Sequence, residues 1–343
     1  MAQKNTIKNL KRSYFIIYDG INNSVFEGQV LKPFQKEAQE NPEQEFVIVS
    51  FEACSMICQI NPNLNIIQFK RLPFLGKFSL LLSILKLKKH LKNIKQDYTI
   101  KARGPLAGWI CLKSTTDACK EIVIQARGVL VEEYELAHPK TKNLIKNLFH
   151  NWRIRELRKI EKETYNNHLK DLKIESVSHA LSKYLIKNYQ TPQDKIYIAQ
   201  NDIPEQITLA QKNEWFNEIR KELKIPIDYT IYCYNGSAKV WQRPVETIKF
   251  FEKKSTENQK IFLLILTQDK QTFEKLLENF SKDKYKIISA PHNEIQKYLA
   301  ACNYGIILRD KNIVNWVSRP TKALEYKAAH LKIIHNNTVE YLS

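Results

Sequence analysis

The residues best suited to chemistry follow an apolar run near the C-terminal end of the chain. Arg309 ends that run; after a polar loop come Ser318 and Thr321, with a proline between them, and then Lys322. Ser318 or Thr321 suits the N-cap of a helix, and the proline suits its first turn. A helix start presents N–H groups and a positive dipole end, which favour a diphosphate, and Lys322 and Arg309 add charge. Glu325 is placed to accept hydrogen bonds from a ribose diol. A purely structural helix start is the alternative for this segment taken alone.

A second polar loop follows another apolar run, at residues 232–246, which read YCYNGSAKVWQRPVE. Gly236 allows the backbone to approach a ligand closely. Lys239 and Arg243 supply cations that could contact an anion bound there. The two loops together predict an anion site more strongly than either does alone.

The spacing of cysteine and histidine does not predict a metal centre. Of the six cysteines only Cys54 and Cys58 lie close together, and no second pair completes a zinc knuckle. His150, His168 and His179 lack the spacing of metal ligands, and no Asp-x-Asp sequence occurs. We therefore expect no metal and no cofactor, and reduced thiols in a cytoplasmic protein.

Short apolar runs that alternate with longer amphipathic stretches predict the elements that position these loops. Runs that are apolar on both faces are typical of strands inside a parallel sheet, and the stretches between them of crossover helices. The fold class is therefore α/β, with Rossmann-like parallel sheets. The first series of runs covers residues 14–18, 46–51, 65–69, 98–102, 121–126, 173–178 and 195–200, and the second covers residues 229–234, 261–267, 285–289, 304–308 and 331–335.

A break in this rhythm, which contains two prolines, divides the chain into two lobes. We expect an N-terminal α/β lobe at residues 1–205, a linker at residues 206–228 and a C-terminal lobe at residues 229–343. Ligands of open parallel sheets bind beyond the carboxyl ends of the strands. Two such lobes would face a cleft that holds two substrates.

The charge of the chain calls for an anionic partner. Its 343 residues include 54 Lys and Arg against 36 Asp and Glu, a formal charge of +18. The basic residues do not alternate with aromatic residues as in an RNA-binding sheet, and no helix-turn-helix or zinc finger is present. We expect no nucleic-acid partner, and a nucleic-acid-binding protein is the less favoured alternative.

One basic stretch, residues 72–95, combines a dense apolar front with a series of lysines. These lysines are Lys86, Lys88, Lys89, Lys92 and Lys95. A crossover helix with its apolar face on the sheet and its lysines in solvent is one interpretation. Attachment to an anionic membrane surface is the other, with about 1 kcal/mol from each cation near the bilayer. A second basic stretch at residues 140–162 would extend the same face.

No signal peptide and no run of 18 apolar residues is found in the sequence. We therefore expect no transmembrane helix and a cytoplasmic location. Under the second interpretation of the basic stretch, the protein attaches peripherally to the inner face of the membrane.

Residues 304–334 resemble the donor-site segment of retaining GT-B glycosyltransferases, glycosyltransferase family 4 (group 1). In that family a strand ends in Leu-Arg, and an Asn, a Ser, a Pro and Lys-x-x-Glu-Tyr follow at the start of a helix of small residues. The matching residues are Leu308, Arg309, Asn315, Ser318, Pro320, Lys322, Glu325 and Tyr326. Segments at residues 18–31, 100–113, 124–134 and 234–242 also fit, so the resemblance covers nearly the whole chain.

The resemblance implies two lobes of the GT-B type, a nucleoside-diphosphate sugar as donor and a carbohydrate or lipid-linked acceptor. Glu325 matches the residue that binds the donor ribose, and Thr321 and Lys322 match the helix start that holds the diphosphate. The other residues implied in donor binding are Gly20, Asn22, Ser237, Lys239, Arg309 and Ser318. The residues implied beyond the strand ends on the acceptor side, which are the catalytic candidates, are Arg103, Arg127 and Glu132.

The expected function is sugar transfer in polysaccharide, glycolipid or other glycoconjugate synthesis at the cytoplasmic membrane face. Val317 stands where the family often carries a second Glu. The family also continues after the last strand with a β/α unit and a helix that crosses back, and we expect the C-terminal lobe to lack that helix. These differences keep a catalytically inactive GT-B-like binding or assembly protein as an alternative.

Overall fold

The computed structural model describes residues 11–21, 26–53, 65–200, 204–291 and 294–343. The chain divides into two compact units, Met1–Asp202 (unit 1) and Ile203–Ser343 (unit 2). Each unit is built around one parallel sheet, and helices connect successive strands.

The sheet of unit 1 has seven strands in the order β3-β2-β1-β4-β5-β6-β7, and every neighbouring pair is parallel. Its strands are β1 (Lys11–Ile17), β2 (Gln44–Glu52), β3 (Asn65–Lys70), β4 (Tyr98–Arg103), β5 (Cys119–Ala126), β6 (Leu172–Ser176) and β7 (Ile196–Ile198). Its helices are α1 (Lys32–Glu40), α2 (Gly76–Lys92), α3 (Gly104–Leu112), α4 (Leu130–Ala137), α5 (Leu144–Tyr165) and α6 (His179–Tyr189), with a π-helical turn at Glu27–Leu31 before α1.

The sheet of unit 2 has five parallel strands in the order β10-β9-β8-β11-β12. Its strands are β8 (Thr230–Asn235), β9 (Ile261–Leu266), β10 (Tyr285–Ile288), β11 (Tyr304–Ile307) and β12 (Lys332–His335). Its helices are α7 (Leu209–Leu223), α8 (Pro244–Glu257), α9 (Lys270–Leu276), α10 (Ile295–Ala300), α11 (Ile313–Val317) and α12 (Thr321–Ala328).

The predicted α/β class with two parallel-sheet units is confirmed. Every apolar run predicted as a strand forms one, and the interior strand β9 is buried along its whole length. Burial of both faces explains why the runs are continuous rather than alternating, because helices cover a parallel sheet on each side.

The segment predicted as a linker, residues 206–228, is ordered around a helix that belongs to unit 2. Thr208 caps α7 through a reciprocal pair of hydrogen bonds with Gln211. Near the other end of α7 the guanidinium of Arg220, almost fully buried, donates to the carbonyl of Tyr229 at 2.7 Å and to the side chain of Asn303 at 3.0 Å. The prolines that suggested a connection between the two lobes therefore flank a packed helix.

Each sheet has a switch point, a place where the connections of two adjacent strands leave in opposite directions. In unit 1 it lies between β1 and β4, and in unit 2 between β8 and β11. Ligands of open parallel sheets bind at such points, beyond the carboxyl ends of the strands. We therefore expect a ligand near Gly20 and Arg103 in unit 1, and near Gly236 and Arg309 in unit 2.

Helix α2 carries apolar side chains on two sides, a pattern that neither interpretation of the basic stretch foresaw. Leu80, Leu87 and Leu91 are buried in the core of unit 1, whereas Phe78 and Leu85 are 80% and 63% exposed. Across the described ranges, no helix is both long enough and apolar enough to cross a membrane.

Candidate functional site

The start of α12 in unit 2 holds a buried cation beside the loop that follows β8. Lys322 is 7% exposed, and its ammonium lies 4.5 Å from the ring centroid of Tyr234. A Cβ placed on Gly236 would lie 3.4 Å from that ammonium, so the lysine packs against the loop, and the φ of +144° is what favours glycine at this position. No carboxylate in the described part of the chain forms an ion pair with Lys322. Burial, with Arg309 nearby, lowers the pKa of Lys322 well below its ordinary value.

A fixed carboxylate lies one turn further along the same helix. The side-chain amide of Asn235, the last residue of β8, donates to Glu325 Oε2 at 2.6 Å. The backbone N–H of Asn235 donates in turn to the Tyr326 hydroxyl at 2.9 Å. Burial raises the pKa of Glu325. Glu325 is therefore oriented by the strand end and adjoins the buried ammonium, as a residue that accepts from a diol beside a diphosphate must be.

Arg309 at the end of β11 connects the two loops. Its guanidinium donates to the carbonyl of Trp241 at 2.7 Å, and burial lowers its pKa. The side-chain amide of Asn336 donates to the carbonyl of Arg309 at 2.7 Å. Gln242, next to Trp241, has its Oε1 atom buried with no hydrogen-bond partner among the described residues. The site thus combines two buried cations with an unused acceptor oxygen.

Two predictions about the start of α12 are wrong in detail. Pro320 occupies the N-cap position, Thr321 is the first helical residue, and no side chain caps the helix. The hydroxyl of Ser318 instead donates to the carbonyl of Asn315 at 2.8 Å, which closes the end of α11. The dipole end of α12 is therefore not blocked by a side-chain cap, and Ser318 is turned toward the preceding helix.

The remaining donor candidates are Ser237 and Lys239, in the loop that follows β8, and Gly20 and Asn22. Lys239 is exposed, with its ammonium 5.1 Å from the ring centroid of Trp241, and the carbonyl of Ser237 accepts from the Tyr234 hydroxyl at 2.7 Å. Gly20 belongs to unit 1, and Asn22 lies outside the described residues.

The loop after β1 in unit 1 is held by a buried carboxylate. Gly20 has a φ of +78°, a left-handed conformation that favours glycine. Glu52 Oε1 accepts from the backbone N–H of Ile21 at 3.1 Å and also from the hydroxyl of Ser50. Glu52 at the end of β2 therefore fixes the loop at the switch point of unit 1.

The two arginines proposed as catalytic are engaged by polar side chains. Arg103 donates to Gln29 Oε1 at 2.8 Å, and the guanidinium of Arg127 lies 3.6 Å from Glu175 Oε1. Gln29, Arg127 and Glu175 line one cavity of about 210 Å³. Gln125 donates to Glu175 Oε1 at 2.8 Å. A polar, charge-balanced pocket results on the unit 1 side.

Glu132, the third catalytic candidate, has a different set of partners. It lies in the first turn of α4 and accepts a hydrogen bond from the hydroxyl of Tyr184 on α6. Nearby, the backbone N–H of Leu130 donates to Glu161 at 3.0 Å, and burial raises the pKa of Glu161 to about 7. The structure therefore does not place Glu132 among the residues that line the pocket of Arg127.

The five lysines of the basic stretch do not share one environment. Lys88, Lys89 and Lys92 are exposed on α2, at helical spacing from the exposed Leu85. The ammonium of Lys86 donates to the carbonyl of Lys70 at 2.8 Å, and Lys95 follows the end of the helix.

Sequence reasoning missed Asn235, Gln242 and Glu52. Asn235 and Glu52 are the last residues of β8 and β2, and that position is the one signal that could have identified them, whereas Gln242 lies further along the loop after β8. In the described part of the chain, no three His, Cys, Asp or Glu side chains gather as a metal site would require.

Comparison with known proteins gives the fold a precedent. No protein-family model and no curated protein matches the sequence. Among solved structures, WaaG, a glycosyltransferase involved in lipopolysaccharide biosynthesis, is similar over 96% of this chain and 83% of its own, with a TM-score of 0.62 and 14% identity. A glycosyltransferase from Rickettsia africae has the same TM-score, with 13% identity, over 96% of this chain and 80% of its own. Anabaena Alr3699/HepE in complex with UDP and glucose has a TM-score of 0.60 and 8% identity, over 96% and 82%. The two-sheet fold is that of GT-B glycosyltransferases.

Proposed function

We propose that this protein is a retaining glycosyltransferase of family 4, which moves a sugar from a nucleoside-diphosphate sugar to an acceptor hydroxyl. The observation that carries the proposal is the buried ammonium of Lys322. It lies at a helix start and forms no ion pair with the described residues, although the carboxylate of Glu325, which Asn235 orients, is one turn away. A buried cation without an ion pair would gain from a close anion, and a diphosphate would supply one.

The reaction needs stabilisation of a leaving diphosphate. The bond between the anomeric carbon and the diphosphate oxygen breaks, a bond to the acceptor oxygen forms, and the hydroxyl proton is released. Negative charge grows on the diphosphate as this happens. The N–H groups of α12 and the charges of Lys322 and Arg309 are fixed in advance where that charge would develop.

Glu325 would bind the ribose of the donor, since its carboxylate is held beside the buried ammonium. The complex of the structurally similar HepE with UDP and glucose supports a donor of this class. Anion binding would also raise the lowered pKa of Lys322 toward its ordinary value, because a nearby negative charge favours the protonated amine.

The acceptor would bind on the unit 1 side, with Arg103 and Arg127 as positioning residues at the strand ends and Glu132 further away. We extend the proposal to glycoconjugate or polysaccharide synthesis at the cytoplasmic face of a membrane. The exposed lysines Lys88, Lys89 and Lys92 support that extension, because they would face anionic lipid.

A thermal-shift screen of the full chain against UDP-, GDP- and ADP-sugars tests donor binding, and release of free nucleoside diphosphate tests turnover. One nucleotide should raise the melting temperature in the wild type but not in Lys322→Met. Lys282→Met is the matched control and should behave as the wild type does. It removes an exposed charge of unit 2 that is distant in sequence from Lys322. Binding without any turnover would favour the inactive binding or assembly protein, and absence of binding to all three classes would contradict the proposal.

A further inference from the structure

A cavity of about 380 Å³ lies in unit 1 near the loop that carries Gly20. Its wall includes Ala53, which follows β2, and Arg71, which follows β3. The backbone N–H of Arg71 donates to the carbonyl of Glu52 at 2.8 Å. The cavity is therefore at the carboxyl ends of the strands, the edge of the sheet where a substrate of unit 1 is expected.

Two arginines of this cavity form no ion pair with the residues that the structure describes. The guanidinium carbon of Arg71 lies 4.7 Å from the ring centroid of Tyr18, and that of Arg153 lies 5.1 Å from Phe74. Within the described residues neither guanidinium forms an ion pair, and each has a buried Nε atom without a hydrogen-bond partner. Unused donors on half-buried cations are costly, and an anion that both arginines contact would satisfy them.

The mouth of the cavity adjoins an exposed apolar surface, which we call the α2/α5 apolar surface. Leu75 and Phe149 line the cavity and are 54% and 43% exposed. The two helices are in contact there, because the backbone N–H of Lys77 donates to Glu156 of α5 at 3.2 Å. The further residues of the surface are Phe78, Leu81, Leu82 and Leu85 on α2 and Leu144, Ile145, Leu148 and Trp152 on α5.

The side chains of this surface are exposed and do not belong to the hydrophobic core of unit 1. Exposed apolar patches of this extent mark sites of interaction, and this one is bordered by cations. Lys88, Lys89 and Lys92 continue the outward side of α2, and Lys142 and Lys146 lie exposed at the start of α5. Apolar residues bordered by lysine are complementary to a bilayer with anionic headgroups.

We propose that the α2/α5 apolar surface inserts into an anionic membrane, and that Arg71 and Arg153 bind the phosphate of a lipid that is the acceptor. The proposal rests on the transferase function above, because it names the class of acceptor for the same reaction. The lipid would enter through the side of the cavity bordered by Leu75 and Phe149. Its headgroup would then lie at the strand ends, next to the Gly20 loop.

Vesicle flotation of the full chain tests the site. We expect the wild type to bind phosphatidylcholine vesicles that contain phosphatidic acid at least about tenfold better than pure phosphatidylcholine vesicles. Arg71→Gln/Arg153→Gln should lose about tenfold toward the anionic vesicles. The control Lys253→Gln/Lys275→Gln removes the same charge from exposed positions of unit 2 and should bind as the wild type does. Phe78→Ser/Leu148→Ser should abolish binding to both vesicle types.

Equal binding to neutral and anionic vesicles would overturn the proposal, as would equal loss in the arginine pair and its control. A melting temperature that rises with inorganic phosphate alone, while vesicles are not bound, would show a soluble phosphate site and overturn the assignment to lipid. Vesicle binding of an arginine variant is compared with the wild type only if the two proteins have the same melting temperature. Arg71→Lys/Arg153→Lys is the variant that keeps the charge. Nucleotide binding by Lys322 reports separately, so failure of the donor proposal and failure of the lipid proposal give different results.

Discussion

The two switch points of this protein are alike in backbone and different in charge. Each has a glycine of positive φ after the first strand of its sheet, Gly20 with a φ of +78° and Gly236 with a φ of +144°, and an arginine at the end of the neighbouring strand. In unit 2 the cation Lys322 is buried and forms no ion pair with the described residues. In unit 1 Arg127, just after the end of β5 and one strand away from the switch point, faces the carboxylate of Glu175.

The difference indicates which of the two pockets, that of Lys322 or that of Arg127, would gain from binding an anion. A balanced pocket such as that of Arg127 has little to gain from binding a diphosphate, because its charge is already neutralised. An unbalanced one gains a charge-assisted hydrogen bond and recovers part of the cost of burial. The same backbone plan can therefore serve the diphosphate of a donor at Lys322 and a neutral hydroxyl at the pocket of Arg127, while the lipid phosphate proposed above would bind at Arg71 and Arg153.

The largest expected effect is on the free energy of unfolding, and it concerns Glu161. This buried carboxyl departs from the charge balance seen at Arg127 in unit 1. Burial raises its pKa from 4.5 to about 7. Between those values the unfolded chain releases a proton that the folded chain keeps, so the free energy of unfolding falls as the pH rises, by up to about 3 kcal/mol. Glu161→Gln should remove most of this fall. Urea denaturation at pH 4.5 and pH 7.5 measures it, and parallel curves for the two proteins would contradict it.

The next effect sharpens the contrast at Lys322. Lys322→Met should weaken binding of the preferred nucleoside diphosphate by about 2 kcal/mol, or roughly 30-fold, since a charge-assisted hydrogen bond is lost. The free protein should not melt lower, because the change also removes an unbalanced buried charge. Isothermal titration and a thermal melt give the two values. A lower melting temperature with unchanged affinity would assign Lys322 a structural role.

A smaller effect separates the ribose from the diphosphate. Glu325→Gln should weaken binding of the nucleoside diphosphate by about 1 kcal/mol, because an ionised acceptor is replaced by a neutral one. Affinity for inorganic pyrophosphate, which has no ribose, should change little. Titration of both ligands decides the point, and equal losses would place Glu325 at the diphosphate instead.

The smallest effect on donor affinity is expected in unit 1. Arg127→Gln should leave nucleoside-diphosphate affinity within about twofold of the wild type, because the charge of Arg127 is already neutralised by Glu175. Its turnover should nevertheless fall if the arginine positions the acceptor. The same titration, combined with a transfer assay, checks this. A large loss of donor affinity would remove the distinction between the pocket of Arg127 and the site of Lys322.

The strands were predictable because their signal is local. Continuous apolar runs, such as residues 261–267, follow from burial on both faces of a parallel sheet, and the structure has a strand at each of them. The helix start at Lys322 was predictable for a similar reason, since proline and lysine at that spacing act on neighbouring residues. The function of the segment 206–228 was not, because its prolines suggest a linker while Arg220 binds residues far along the chain.

The partners of the site residues were beyond the reach of the sequence. Asn235 and Glu325 are separated by 90 residues, and nothing near either one indicates that they meet. The carboxylate of Glu175 that neutralises Arg127 comes from another strand, and so does the carboxylate of Glu52 that holds the loop at Gly20. The hydroxyl of Ser318 turned out to bond to α11, although its position equally suited α12.

By itself, the sequence determined the α/β class, the two series of strands and the segment that could hold an anion, because these depend on periodicity and on residues a few positions apart. Only the tertiary structure decided that Lys322 is buried with no ion pair to any residue that the structure describes, that Arg127 is neutralised and that α2 leaves Phe78 and Leu85 exposed. Charge balance and exposure depend on which distant side chains meet. Folding of the whole sheet sets that, and no local pattern encodes it.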